Sequence, residues 1–136
     1  MPAHGRHGSR WTVRQPDGEA HFTGVAKWEI RPGGGRLLSS TLFGEGVAGG
    51  EPVLCPKPGR ENVSDAVWIL TWVYDAHSNV SALVVLDGEV RDAALPELAR
   101  LRVADGVRVP FGFHGHWMPE PELLEHVVTH SLDSHK

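Results

Sequence analysis

Cysteine is nearly absent: Cys55 stands alone in 136 residues. One thiol leaves no internal disulfide framework and fits a reducing, cytoplasmic setting. No run of ~18 apolar residues occurs, so no transmembrane helix is expected. The opening MPAHGRHGSRW lacks an apolar core and does not read as a secretory signal. Charge is short on the basic side, with a formal net of −4. Without a clustered basic face a nucleic-acid partner is not expected. Several catalytic signatures are missing as well. There is no CxxC, no HExxH and no GxSxG elbow. The glycine-rich segment Gly44-Glu45-Gly46-Val47-Ala48-Gly49-Gly50 lacks the GxxxxGK[ST] pattern of a phosphate loop.

What is abundant is glycine, 16 residues, and proline, 10 residues, between short apolar runs. That composition predicts one all-β domain of short strands and turns. Residues 1–20 hold no apolar period and read as a flexible N-terminal arm, with a turn at Gln15-Pro16-Asp17-Gly18. Residues 22–30 read as a strand in which Ala26, Trp28 and Ile30 share one face and Lys27 and Glu29 the other. Residues 31–35 (RPGGG) turn the chain into a second strand over 36–43. Residues 51–56, bounded by prolines, suit an edge strand or a strand start. The run AVWILTWVY, residues 66–74, is the strongest strand signal and so apolar that both faces are expected to be covered. A loop over 75–79 leads to its partner at 80–86, and a further strand is expected over 98–103. Asp65, Asp75 and Asp87 fall at strand ends, where turn formation accounts for them. Residues 119–136 read as a C-terminal tail or short helix, and His126 and His130 on it as a solvated face.

Two places carry candidate chemistry. Residues 109–117 (VPFGFHGHW) read as an extended segment, with Phe111 and Phe113 on one face and Gly112, His114 and His116 on the other. From the residues alone His114 is open to two accounts: a packed, hydrogen-bonded histidine, or a ligand with glycines clearing its approach. His114 and His116 together do not complete a metal site, which needs at least three protein ligands. Glu51 enters an apolar strand between Gly50 and Pro52, where a carboxylate needs a partner. That partner is either a backbone amide or arginine, or the free N–H of a metal-bound imidazole. Cys55 reads as a buried, inert thiol.

Several segments resemble one family in order and spacing. They are Gly50-Glu51-Pro52-Val53, the turn at Pro58-Gly59, residues 68–76 (WILTWVYDA), residues 83–87 (LVVLD) and residues 109–115 (VPFGFHG). Together they resemble the C-terminal end of the carotenoid cleavage oxygenases, the retinal pigment epithelial membrane protein family. Residues 22–28 (FTGVAKW) look like the strand before that region. The combination is specific, although EPV or FHG alone would not be.

The resemblance implies the C-terminal blades of a seven-bladed β-propeller over residues 21–118, built of antiparallel hairpins. It implies a non-haem Fe(2+) held by four histidines on the propeller axis. It also implies O2-dependent cleavage of a C=C double bond in an apolar carotenoid, apocarotenoid or stilbenoid substrate. By this resemblance His114 matches the last iron-binding histidine and Glu51 a glutamate that orients a metal-bound imidazole. His116 matches no ligand. The chain departs from the pattern in length and in histidines. Members are several times longer and carry three earlier iron histidines, whereas His4 and His7 precede any strand and His21 and His77 match no ligand motif. Residues 61–65 (ENVSD) replace a more acidic run. The chain alone is therefore expected to be inactive, and no catalytic residue is assigned to it. Peripheral membrane contact is an expectation for the complete enzyme, and self-association through open sheet edges one for this chain. Two other functions fit the same residues: a non-catalytic β-sheet module that pairs with the missing blades, and a small metal or ligand binder using His114 and His116.

Overall fold

The computed structural model describes residues 5–13, 20–110 and 114–124, with the backbone alone for 5–13, 20 and 21. Eight strands follow one another: β1 (Gly5–Val13), β2 (Ala20–Arg31), β3 (Gly34–Leu42), β4 (Val47–Gly49), β5 (Val53–Pro56), β6 (Val67–Asp75), β7 (Val80–Asp87) and β8 (Glu97–Arg102). Residues 120–124 add a single helical turn. Every ladder is antiparallel. The all-β class and the hairpin organisation are those expected, and an open antiparallel sheet is consistent with part of a propeller.

The sheet runs β1-β2-β4-β6-β7-β8, with β3 also on β2 and β5 also on β6. Two groups result, β1-β2-β3 and β5-β6-β7-β8, joined by the short β4. Turn chemistry sets the hairpins. Pro32 presets the first turn position and Gly33 takes a φ of 87° at the second, a conformation that favours glycine. Asp75 closes the next hairpin by accepting from the His77 N–H at 2.9 Å and the Ser78 hydroxyl at 2.7 Å, which is the turn role expected of it.

The core lies between the two groups. Val67, Ile69 and Val73 of β6 and Ala82, Val84 and Leu86 of β7 pack with Val25 of β2 and Leu95. Period two along β6 places these β-branched side chains on one face. Full burial of residues such as Ile69 and Val84 contributes about 1.5–3 kcal/mol each. The opposite face of β6 is not covered as expected: Trp68 and Leu70 are half-buried and Trp72 is 43% exposed. Its apolar composition matches a surface left open rather than a second core.

Three further expectations are corrected. Residues 5–13, read as part of a flexible arm, form β1 alongside β2 from Ala20 to Glu29; backbone pairing needs no apolar period in the added strand. The glycine-rich connection contains β4, which bridges β2 at Phe22–Gly49 and β6 at Val47–Asp75 through Gly49–Val73. Asp65 lies in a turn, as expected, but turn formation does not account for it. It is buried and faces Lys27, whose side chain is fully buried on the core side of β2, while Trp28 and Ile30 lie on the exposed side.

Lys27 and its neighbours fasten the two groups together. Its Nζ donates to the Gly88 carbonyl at 2.6 Å and lies 3.3 Å from Asp65 Oδ2. Arg91 donates to the same carboxylate oxygen. Burial pushes the Asp65 carboxyl up, and Arg91 and Lys27 outweigh it, so the group is held below its ordinary value. Ser39 and Thr41 of β3 donate to the Val90 and Leu95 carbonyls at 2.8 and 2.9 Å. The polar face of β2-β3 is therefore the inner one, and its hydrogen bonds go to the segment after β7.

Candidate metal centre

β4 and β5 run along the same side of β6, one ending at Gly49–Val73 and the other starting at Val53–Leu70. Between them lie Gly50, Glu51 and Pro52. Pro52 has no N–H to give the ladder, so pairing breaks there. Gly50 remains attached: its N–H donates to the Trp72 carbonyl at 2.7 Å, and its carbonyl accepts from Thr71 Oγ1 at 3.1 Å. Glu51 thus sits at an interruption in a strand, fixed by its neighbours, with its carboxylate partly exposed.

That carboxylate receives the chain from 63 and 64 residues further on. Glu51 Oε2 lies 3.1 Å from His114 Nδ1 and accepts from the Gly115 N–H at 3.2 Å. An ionised carboxylate can only accept, so the contact assigns the proton to Nδ1. In the neutral ring Nε2 then keeps its lone pair, and with the His114 side chain 88% exposed that nitrogen is free to bind a metal. The carboxylate fixes the orientation of the ring.

Gly115 has a second reason to be glycine. A Cβ there would come within 2.6 Å of Val53 Cγ2. The bare backbone lets Gly115 lie against Val53 of β5, so the glycine makes room for the protein rather than for a ligand. Upstream, the approach to the site is tied to the β6–β7 hairpin. The Val109 N–H donates to Ser81 Oγ at 3.1 Å, and Arg108 stacks 4.7 Å above the Tyr74 ring while reaching Asn79 at 3.2 Å.

The structure brings Glu51 and His114 together and leaves His116 exposed outside that contact. Residues 114–119 have no regular secondary structure, so the expected strand is absent there, and Phe111, Gly112 and Phe113 lie outside the described residues, as do His4, His126 and His130. His77 packs over Gly46, at whose position a Cβ would meet its ring at 2.5 Å. Cys55 is buried and unpaired in any disulfide, and burial pushes its thiol up, in keeping with an inert role. Among the described residues no three His, Cys, Asp or Glu side chains converge as a metal cluster. One imidazole with a carboxylate behind it fits a single corner of an iron site and not the whole of one. Sequence reasoning passed over Thr71 and Ser81, both almost fully buried. A hydroxyl in an otherwise apolar row of a strand was the available signal.

Residues 6–119 match the profile of the retinal pigment epithelial membrane protein family. The chain belongs to that family. Among curated relatives, it is 32% identical over 105 residues to a chloroplastic 9-cis-epoxycarotenoid dioxygenase of Arabidopsis thaliana, covering 77% of this chain and 16% of that protein. It is 34% identical over 106 residues to a zeaxanthin 7,8(7',8')-cleavage dioxygenase of Crocus sativus, covering 74% and 27%. It is 31% identical over 100 residues to the apocarotenoid-15,15'-oxygenase of Synechocystis sp., covering 74% and 19%. The chain therefore spans about a sixth to a quarter of the length of these members of the retinal pigment epithelial membrane protein family, and the Glu51–His114 contact falls inside the matched region.

Proposed function

We propose that this chain is part of a non-haem Fe(2+) dioxygenase that cleaves a C=C double bond of a carotenoid or apocarotenoid with O2, and that it contributes one iron ligand. The observation that carries this reading is the 3.1 Å contact between Glu51 and His114 Nδ1, which leaves Nε2 as a donor. When bound, ferrous iron supplies the reaction with O2. This chain's part is to hold one imidazole in one tautomer. Glu51 does so by accepting from Nδ1, and the Gly115 N–H fixes the same carboxylate oxygen from a second direction.

A single imidazole cannot hold ferrous iron against water. The purified chain, titrated anaerobically with ferrous iron, is expected to take up no stoichiometric metal and to leave an apocarotenoid intact when O2 is admitted. Stoichiometric iron together with cleavage would show that the chain completes a site by itself and would refute the one-corner assignment.

A second reading, a sheet module that docks on further blades, is favoured by the exposed faces. Trp28, Ile30, Leu37 and Leu42 of β2-β3, and Trp72 and Leu101 of β6 and β8, are all more than 40% exposed. Large side chains grouped on a sheet face mark an interaction surface, and β8, exposed along its length, ends the strand order as an open edge. On this reading, sedimentation of the purified chain gives species heavier than a monomer, and Trp28→Lys with Trp72→Lys shifts them towards the monomer. A monodisperse, cooperatively unfolding monomer would remove it.

A further inference from the structure

We propose that Thr71 is a positioning residue for the Glu51–His114 pair, acting through the Gly50 carbonyl; this rests on the reading of that pair as an iron ligand and its orienting carboxylate. On β6 the core-facing row is Val67, Ile69, Thr71 and Val73. Thr71 is the one polar member and is 1% exposed. A buried hydroxyl without a partner is costly, so its partner explains its presence. Two carbonyls lie near Oγ1: Gly50 O at 3.1 Å and Trp72 O at 3.4 Å. The hydroxyl has one proton, and the shorter contact takes it.

The consequence passes along the chain in three short steps. Gly50 is held at both ends of its backbone, by Trp72 O on its N–H at 2.7 Å and by Thr71 on its carbonyl. Glu51 follows directly, and Pro52 fixes φ on its far side. A residue bracketed in this way has little backbone freedom, so its side chain starts from a fixed Cα and has fewer places to go. The carboxylate lies 3.1 Å from His114 Nδ1 and 3.2 Å from the Gly115 N–H. His114 is otherwise exposed, so the precision of its orientation depends on what holds Glu51. Valine has the shape of threonine without the hydroxyl, and it would suit the surrounding valines and isoleucine. Threonine at this position is therefore explained by the Gly50 contact and not by packing.

The test reads the tautomer of His114 in the full chain by 15N NMR at about pH 8.5, well above an ordinary imidazole value. The parent chain is expected to show the Nδ1–H form in excess. Thr71→Val should shift His114 towards the tautomer mixture of a free imidazole and speed exchange of the Gly115 amide by about fivefold, the equivalent of one ordinary hydrogen bond. Thr71→Ser, which keeps the hydroxyl, should retain the parent spectrum. Glu51→Ala, which removes the acceptor, separates the two layers of the argument. If it leaves the His114 tautomer unchanged, the Glu51–His114 pair is wrong and the role of Thr71 goes with it. If Glu51→Ala shifts the tautomer and Thr71→Val does not, only the role of Thr71 is overturned. Should Thr71→Val fail to fold, Thr71→Ser decides: a folded serine variant that has lost the parent signature would mean that the methyl group, and not the hydroxyl, matters.

Discussion

Asp65→Ala is expected to lower the unfolding free energy of the chain by about 3–5 kcal/mol, the usual cost of breaking a buried ion pair from one side. Lys27 has no solvent exposure. Among the described residues its ammonium donates to the Gly88 carbonyl at 2.6 Å and lies 3.3 Å from Asp65 Oδ2, within the field of the Asp87 carboxylate. Removing the Asp65 carboxylate leaves a buried cation with the Gly88 carbonyl as its hydrogen-bond partner and no carboxylate paired with it. The penalty belongs to the orphaned charge and not to the attraction itself, which a double variant can show. Lys27→Met with Asp65→Ala removes both charges, and apolar replacement of a buried pair is often close to neutral. The double variant should therefore be more stable than Asp65→Ala alone. Arg91, about half exposed, can turn to solvent in either variant. Urea unfolding followed by tryptophan fluorescence measures all three chains. A cost below about 1 kcal/mol for Asp65→Ala, the range of an exposed pair, would sink the argument.

The same pair carries an acid sensitivity whose sign is fixed. The Asp65 carboxyl is held below its ordinary value of 3.8 in the folded chain. A depressed carboxylate contributes stability that is present in full above the unfolded value and is lost as pH falls through the folded one. The gap in unfolding free energy between the parent chain and Asp65→Ala should accordingly be widest near neutrality and narrow below about pH 4.

This pair also shows where the sequence stopped being informative. Strict alternation at residues 26–30 identified two faces of β2 but not which of them is inner. In the structure Trp28 and Ile30 are exposed and Lys27 is fully buried. The choice is made by Asp65, 38 residues from Lys27, and by the Gly88, Val90 and Leu95 carbonyls, 51 to 61 residues from their donors, and these leave no local trace. By contrast β6 and β7 were legible because nine and eight residues of β-branched and aromatic character admit little else. The turn at Pro32-Gly33 was legible because the backbone there demands those residue types. β4 was not, since three residues become a strand by pairing with β6 and not by propensity. The Glu51–His114 contact spans 63 residues; the residues alone left each with two accounts, and only the family resemblance joined them.

A chimera in which residues 6–119, the segment that matches the family profile, replace the corresponding region of the apocarotenoid-15,15'-oxygenase of Synechocystis sp. is where substitutions in this chain should have their strongest effects. In that chimera, on the proposed one-corner reading, His114→Ala is expected to abolish both iron retention and apocarotenoid cleavage, because it would delete a donor atom. Glu51→Gln should act differently. An amide can still accept from Nδ1 through its oxygen, so the ring stays oriented in part, but the negative charge behind the imidazole is gone. A loss of about 10–100-fold in iron affinity or activity is the usual size of such a change. The ratio between the two variants is the informative quantity. It distinguishes a donor from a residue acting through a donor, whereas a general loss of folding would lower both alike. Iron content by mass spectrometry and circular dichroism of the same preparations keep these apart. Full iron in a folded His114→Ala chimera would mean that the metal is held without this histidine. Equal losses in the two variants with intact folding would mean that Glu51 does more than orient a ring, and that the 3.1 Å contact is not its main role.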